Sequence, residues 1–253
     1  MAISTLREAA TALGSDPRAA LTRCAWILAD EGHESGLAGQ LTARGPDEGT
    51  FWTLPLGLAF DEADEASWLL IDDAMTVLAG DGSFGIREPN PATRFHLWIY
   101  RARADVQAIV HTHPPAASVL AAAEQPLVVA HMDATPLFDD MAFLPEWPGL
   151  PTADREGELI AGGLGTKHAM LLAHHGLLAA GRSVAEAAFL AVFIERMARL
   201  QVDAAPLGGV KPIDAAEARR ARDFLRTDRI MGATFSAWSR RAARRRGRDA
   251  GSA

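Results

Sequence analysis

The stretch from Val106 to His113 constrains this chain more than any other. Val106, Ala108, Ile109 and Val110 lead directly into His111-Thr112-His113, and Pro114-Pro115 follow. Such a run reads as a strand. The prolines end its ladder, because proline has no N–H to donate. Strand side chains alternate between faces, so His111 and His113 share one. Two imidazoles at a strand end fit a metal. They also fit a surface pair, or a single buried histidine held by a hydrogen bond.

A second apolar run, Ala169 to Ala173, leads into His174-His175-Gly176. Neighbouring strand residues face opposite ways, so only one of these two histidines can join the first pair. Gly176 permits close approach of another group. Three histidines from two strand ends match a catalytic metal site with an open coordination position. Imidazole ligands suit zinc, iron, cobalt or nickel.

Periodicity and turn signals give the surroundings. Two helices are expected between Ser4 and Asp30, broken at Gly14 to Pro17. Short strands are expected at 51–53 and 68–71, and a helix from Pro91 to Arg103 with Asn90 as a possible cap. A helix over 116–123, a strand over 126–131, a shaped loop over 135–151 and a helix over 154–164 follow. Ser183 and Glu186 form a capping-box pattern ahead of a helix to about Val202. One more helix runs from Asp214 into the C-terminal arginines. The strands near 50 and 70 have no helix between them, which favours a mixed, mainly antiparallel sheet.

The net charge of -7 excludes a general attraction for nucleic acid or anionic membrane. Six arginines between Arg240 and Arg248 are the local exception and read as a solvated or frayed helical tail. No apolar segment approaches the ~20 residues of a membrane span. The single cysteine, Cys24, lies in an apolar run, and a reducing, cytoplasmic setting without a signal peptide is expected.

Taken together these residues resemble the class II aldolase/adducin family. The resemblance rests on His111-Thr112-His113-Pro114 followed by His174-His175-Gly176-Leu177 and a capped helix. Gly39-Gln40-Leu41-Thr42-Ala43-Arg44 resembles the family's substrate loop, and Asn90-Pro91-Ala92 through Phe95-His96 resembles the helix before the histidine strand. It covers about residues 5 to 205. It implies a three-layer α/β/α fold over residues 1–210, with a helical extension over 211–253, and a homotetramer with sites between subunits.

The resemblance further implies His111, His113 and His175 as ligands of a divalent ion, zinc first, with iron, manganese or cobalt as alternatives. His174 would face away. Gln40 and Thr42 would bind substrate. The implied activity is a lyase acting by aldol cleavage or decarboxylation on a small hydroxy- or keto-acid or sugar-like substrate, through a metal-stabilised enediolate. Two departures matter. Ala92 stands where the sugar-phosphate aldolases have their glutamate base, and Glu88 is not expected to replace it. Gln40 replaces the usual asparagine and no Ser-Ser pair precedes the helix, which points to a carboxylate or aromatic substrate rather than a phosphate.

His131-Met132-Asp133 resembles a His-x-Asp of the pentulose-phosphate epimerase branch, so Asp133 is the candidate proton carrier, with turn capping as its other role. Asp139 and Asp140 are expected to be solvated or structural. Tyr100 is expected to pack, and His96 to be a core residue. Two further activities remain open on this scaffold. One is a non-haem iron oxygenase, as in the prenylated hydroxyphenylpyruvate oxygenases, for which Trp52, Trp98 and Trp147 leave room. The other is an adducin-like assembly module.

Overall fold

The computed structural model describes residues 16–82, 85–147, 149 and 154–249. In chain order its main elements are α1 (Arg18–Asp30), β1 (Gln40–Arg44), β2 (Thr50–Thr53), β3 (Leu69–Asp72), β4 (Val77–Ala79), α2 (Thr93–Ala102), β5 (Ala108–Thr112) and α3 (Pro115–Ala122). A 3-10 helix (Met132–Leu137), β6 (Met141–Leu144), α4 (Asp154–Leu164), β7 (Ala169–Leu172), β8 (Leu177–Gly181), α5 (Val184–Ala204), α6 (Ala215–Leu225) and α7 (Asp228–Asp249) follow.

The strands form one sheet in the order β4-β3-β2-β1-β5-β8-β7-β6. Every neighbouring pair is antiparallel except β6 with β7. β5 is buried at all five positions because helices cover both faces. Alternation sends Val110, Leu41, Leu171 and Ala179 to one side, where they pack with Leu28, Ala117, Leu190 and Phe235 of α1, α3, α5 and α7. Ile109, Met170, Leu172 and Leu178 go to the other, against Phe95 and Ile99 of α2 and Ile160 of α4. This is the expected α/β/α arrangement around a mixed, mainly antiparallel sheet.

Several local expectations change. The first N-terminal helix lies outside the described residues. Residues 126–131 form no strand. Their backbone is taken elsewhere: Val128 N donates to Gln201 Oε1 at 2.8 Å, and the Val129 carbonyl accepts from Ile213 N at 2.9 Å. The expected loop over 135–151 contains β6, which pairs with β7 from Met141↔Ala169 to Leu144↔Leu172. β8 also went unread, because the Leu, Ala and Gly of Leu177–Gly181 suit a helix as well as a strand.

The C-terminal helix is two helices, split at Arg226 and Thr227. The first starts where the Asp214 carboxylate accepts from the backbone N–H groups of Ala216 and Glu217. The second is not a frayed tail through Arg246. Met231, Phe235, Trp238 and Ala242 are buried. Arg241 pairs with Glu31, and Arg245 and Arg246 lie 3.3 and 3.2 Å from Asp30. Two acids at the end of α1 thus hold the basic helix down. Among the described residues no helix is long and apolar enough to cross a membrane.

Candidate metal centre

His111 is the penultimate residue of β5 and sits opposite Gln40 in the register with β1. It is buried, and its Nδ1–H donates to the Leu177 carbonyl at 2.8 Å. That bond fixes the proton on Nδ1 and leaves Nε2 with a free lone pair. His113 lies just past the strand, with its Nε2 3.0 Å from that of His111. His175 comes from the tight turn between β7 and β8, which is closed by Leu172 N donating to the Gly176 carbonyl at 2.9 Å. The ring centroids lie 4.8 Å apart for His111–His113 and 4.7 Å for each ring with His175. One nitrogen from each ring falls within 4.8 Å of the others.

His174 is on the turn, not on a strand, with φ of 56°. Its Nε2 meets Glu124 at 3.0 Å on the surface, so it turns away as expected, but for a turn's reason. Gly176 has a steric role. A Cβ there would lie 2.5 Å from the Thr112 carbonyl oxygen and 2.6 Å from His113 Cδ2.

Burial disfavours the charged form of all three rings. It holds the His175 imidazole down to about 4, His111 well below the usual histidine range, and His113 below it. The His175 Nδ1 is buried without a hydrogen-bond partner. Three converging imidazoles whose charged form is disfavoured, one with its tautomer fixed from behind and one with an unpartnered nitrogen, fit a divalent ion.

Gln40 and Thr42 lie beneath this centre rather than at its mouth. Both are fully buried. Gln40 Nε2 donates to Thr53 Oγ1 at 2.7 Å, Thr93 Oγ1 at 2.8 Å and the Leu54 carbonyl at 3.1 Å. Thr42 Oγ1 meets His96 Nδ1 at 2.8 Å and the Tyr100 hydroxyl at 2.9 Å. These side chains tie β1 to β2 and α2. His96 is a hydrogen-bonded core residue as expected. Tyr100 packs on Phe51 and also bonds Thr42. The Phe95 ring stands edge-on to His111, centroids 5.0 Å apart, so α2 directly supports the first ligand candidate.

The acids are dispersed. Asp133 is 42% exposed in the 3-10 helix, where its N–H donates to His131 Nδ1 at 3.2 Å. Among the described residues no hydrogen bond joins it to the three histidines. Ala92 is buried at the start of α2, with its N–H held by Asn90 Oδ1 at 3.0 Å, and Glu88 is exposed. Asp140 is structural: it holds His168 at 2.9 Å and pairs with Arg226.

Among the buried titratable groups, His33, Glu156 and Glu195 escaped the sequence reading. His33 lies behind β5 with Nδ1 2.8 Å from Thr112 Oγ1, and nothing in its local sequence signals this. Glu156 is 2% exposed on α4. Its signal was available: with Ile160 and Leu164 it makes an i, i+4, i+8 stripe that is otherwise apolar.

Comparison with known proteins gives the chain's relatives. The chain is 32% identical over 188 residues to 4-hydroxy-3-prenylphenylpyruvate oxygenase/4-hydroxy-3-prenylbenzoate synthase of Streptomyces roseochromogenus subsp. oscitans, covering 74% of this chain and 66% of that protein. It is 30% identical over 208 residues to Decarboxylase NovR of Streptomyces niveus, covering 81% and 73%. Among solved structures, L-fuculose 1-phosphate aldolase from Glaciozyma antarctica PI12 superposes with a TM-score of 0.83 at 28% identity, covering 91% of this chain and 90% of that one. Residues 19–202 match the family described as Class II Aldolase and Adducin N-terminal domain, and the chain belongs to that family.

Proposed function

We propose that this protein is a divalent-metal-dependent lyase, cleaving a C–C bond by the aldol route or by decarboxylation in a small hydroxy- or keto-acid or sugar-like substrate. The observation that carries this reading is the convergence of His111, His113 and His175, from the end of β5 and the β7–β8 turn, onto one point. A bound divalent ion supplies Lewis-acid polarisation of a substrate carbonyl or hydroxyl. The chain's own part is to hold the imidazoles. The Leu177 carbonyl orients His111, Phe95 braces its ring edge-on, and the Gln40 and Thr42 layer keeps β1 in register behind them.

Zinc is the first candidate ion. A homotetramer in the cytoplasm belongs to the same proposal, supported by apolar side chains left at the surface: Leu37, Met132 and Trp147 are each more than half exposed. The similarity to a protein named as an oxygenase favours one second reading, iron on the same three histidines and oxidative decarboxylation.

Metal analysis tests both. Protein purified without added metal should carry close to one ion per chain, and His175→Ala should carry at least tenfold less. Zinc or manganese supports the lyase, and tightly held iron the oxygenase. No ion in wild type, even after incubation with zinc, manganese and ferrous salts, would sink the reading.

A further inference from the structure

The first turn of α2 reaches His111 through Phe95, yet it carries no acid. The neighbouring helix brings one. β7 leads into the turn that holds His175, and β6 runs parallel to it, so both strands point toward the histidines. The helix that joins them, α4, must run back the other way, which puts its first turn at the histidine end. Contacts between α4 and α2 agree. Arg94 lies 4.0 Å from Asp154, Gly157 presses on the Trp98 indole so closely that no Cβ would fit, and Arg103 donates to the Gly165 carbonyl at 2.7 Å. The two helices therefore lie parallel. Glu156 lies between the first two of those contacts, so it falls between Arg94 and Trp98 along α2, in the first turn of α4.

Three glutamates are buried among the described residues. Glu186 is paired with Arg182 and Arg226. Glu195 accepts from the N–H groups of Ala116 and Ala117 at 3.0 and 2.8 Å. Glu156 alone keeps a buried carboxyl oxygen, Oε1, without a partner. Burial pushes its carboxyl up to about 7. Trp98 Nε1, which lies against Gly157, is also buried without a partner. A carboxyl on an apolar stripe, uncompensated by the fold, costs stability that a leucine would not.

We propose that Glu156 is the proton-transfer carboxyl of the His111–His113–His175 site. This rests on the lyase reading above. As a carboxylate, Glu156 takes the hydroxyl proton of a β-hydroxycarbonyl substrate. The O–H electron pair forms the new C=O, the Cα–Cβ bond breaks, and its electron pair stays on Cα. The protonated Glu156 then returns the proton to Cα and the carboxylate is restored, with no oxidant or reductant consumed. Glu156 is not among the three residues whose ligand atoms cluster, so its part is the proton and not the ion. Asp133 is the rival, but its carboxylate faces solvent and its turn.

Carboxyl-13C NMR of glutamate-labelled protein decides the placement without a substrate. The resonance missing from Glu156→Gln should titrate near 7 in the metal-free wild type. It should move down by about one unit or more with zinc bound, because a nearby cation favours the carboxylate. Zinc-loaded wild type, Glu156→Gln and Asp133→Asn are then compared for α-proton exchange of dihydroxyacetone and pyruvate in D2O. Exchange should fall about 100-fold in Glu156→Gln at unchanged zinc content, and stay near wild type in Asp133→Asn. A Glu156 midpoint that zinc does not move, or exchange that survives in Glu156→Gln, overturns this proposal alone. Wild-type protein that takes up no divalent ion overturns the lyase reading and this proposal with it.

Discussion

At the scale of single residues, the centre depends on a missing side chain as much as on the three imidazoles. Gly176 lets the β7–β8 turn close over Thr112 and His113. Gly176→Ala should destabilise the protein by about 1–3 kcal/mol, the usual cost of overpacking a tight contact. It should also weaken metal binding more than a distant surface change of equal stability cost. Urea unfolding and metal titration of the same variant check both. His111, His113 and His175 were legible because their type and spacing carry chemistry on their own. Gln40 and Thr42 were legible as polar residues near a site, but their depth was not. Only the packing of β1 against β2 and α2 shows that their partners are Thr53, Thr93 and His96.

Elements were legible where length or caps announce them. The N-cap at Ser183 was correct, with Glu186 N donating to Ser183 Oγ at 3.1 Å, while the Glu186 carboxylate reaches back one residue further, accepting from Arg182 N at 2.8 Å. β6 and β8 were not legible: the first lies in the proline-bearing stretch that reads as a loop and the second is a run of Leu, Ala and Gly, so tertiary pairing defines them. The break between α6 and α7 was hidden for a different reason. Arg226 occupies it, with its guanidinium buried between Asp140 and Glu186, the latter at 3.0 Å. Burial draws that guanidinium down to about 10. Arg226→Ala would leave part of the charge on two buried carboxylates uncompensated, although Arg182 still reaches Glu186. Thermal or urea denaturation should show a loss of about 3 kcal/mol, at the low end for breaking a buried pair. Unchanged stability would show that the arginine does not hold the two helices onto the sheet.

For the whole molecule, buried imidazoles set the acid limit. His33 and His96 are held near 3 by burial, below the ordinary 6.5 they regain on unfolding. The unfolded chain therefore binds more protons between those values. Stability is full above about 6.5 and falls as pH drops toward 3, by up to ~1.4 kcal/mol per pH unit for each histidine. Glu156 acts in the opposite direction. Its folded value is raised to about 7 from 4.5, so it gains stability as pH falls through that window. The decline should be shallower between 6.5 and 4.5 than below 4.5. Urea midpoints at pH 7, 5.5 and 4 should show this bend, and a flat profile would show that the two histidines are more solvated than their burial indicates. The overall architecture was readable from the paired strands near 50 and 70. The acid–base character of its interior was not, because it depends on which face of each strand is covered.

The sheet ends in a three-residue strand at one margin, β4, and a four-residue strand at the other, β6. Strands this short offer few open backbone groups for another chain to extend. Growth of the sheet across copies is therefore poorly templated. An assembly of copies would instead use side chains on helices and loops, where geometry is set one residue at a time and can be altered without touching the strands that carry the histidines.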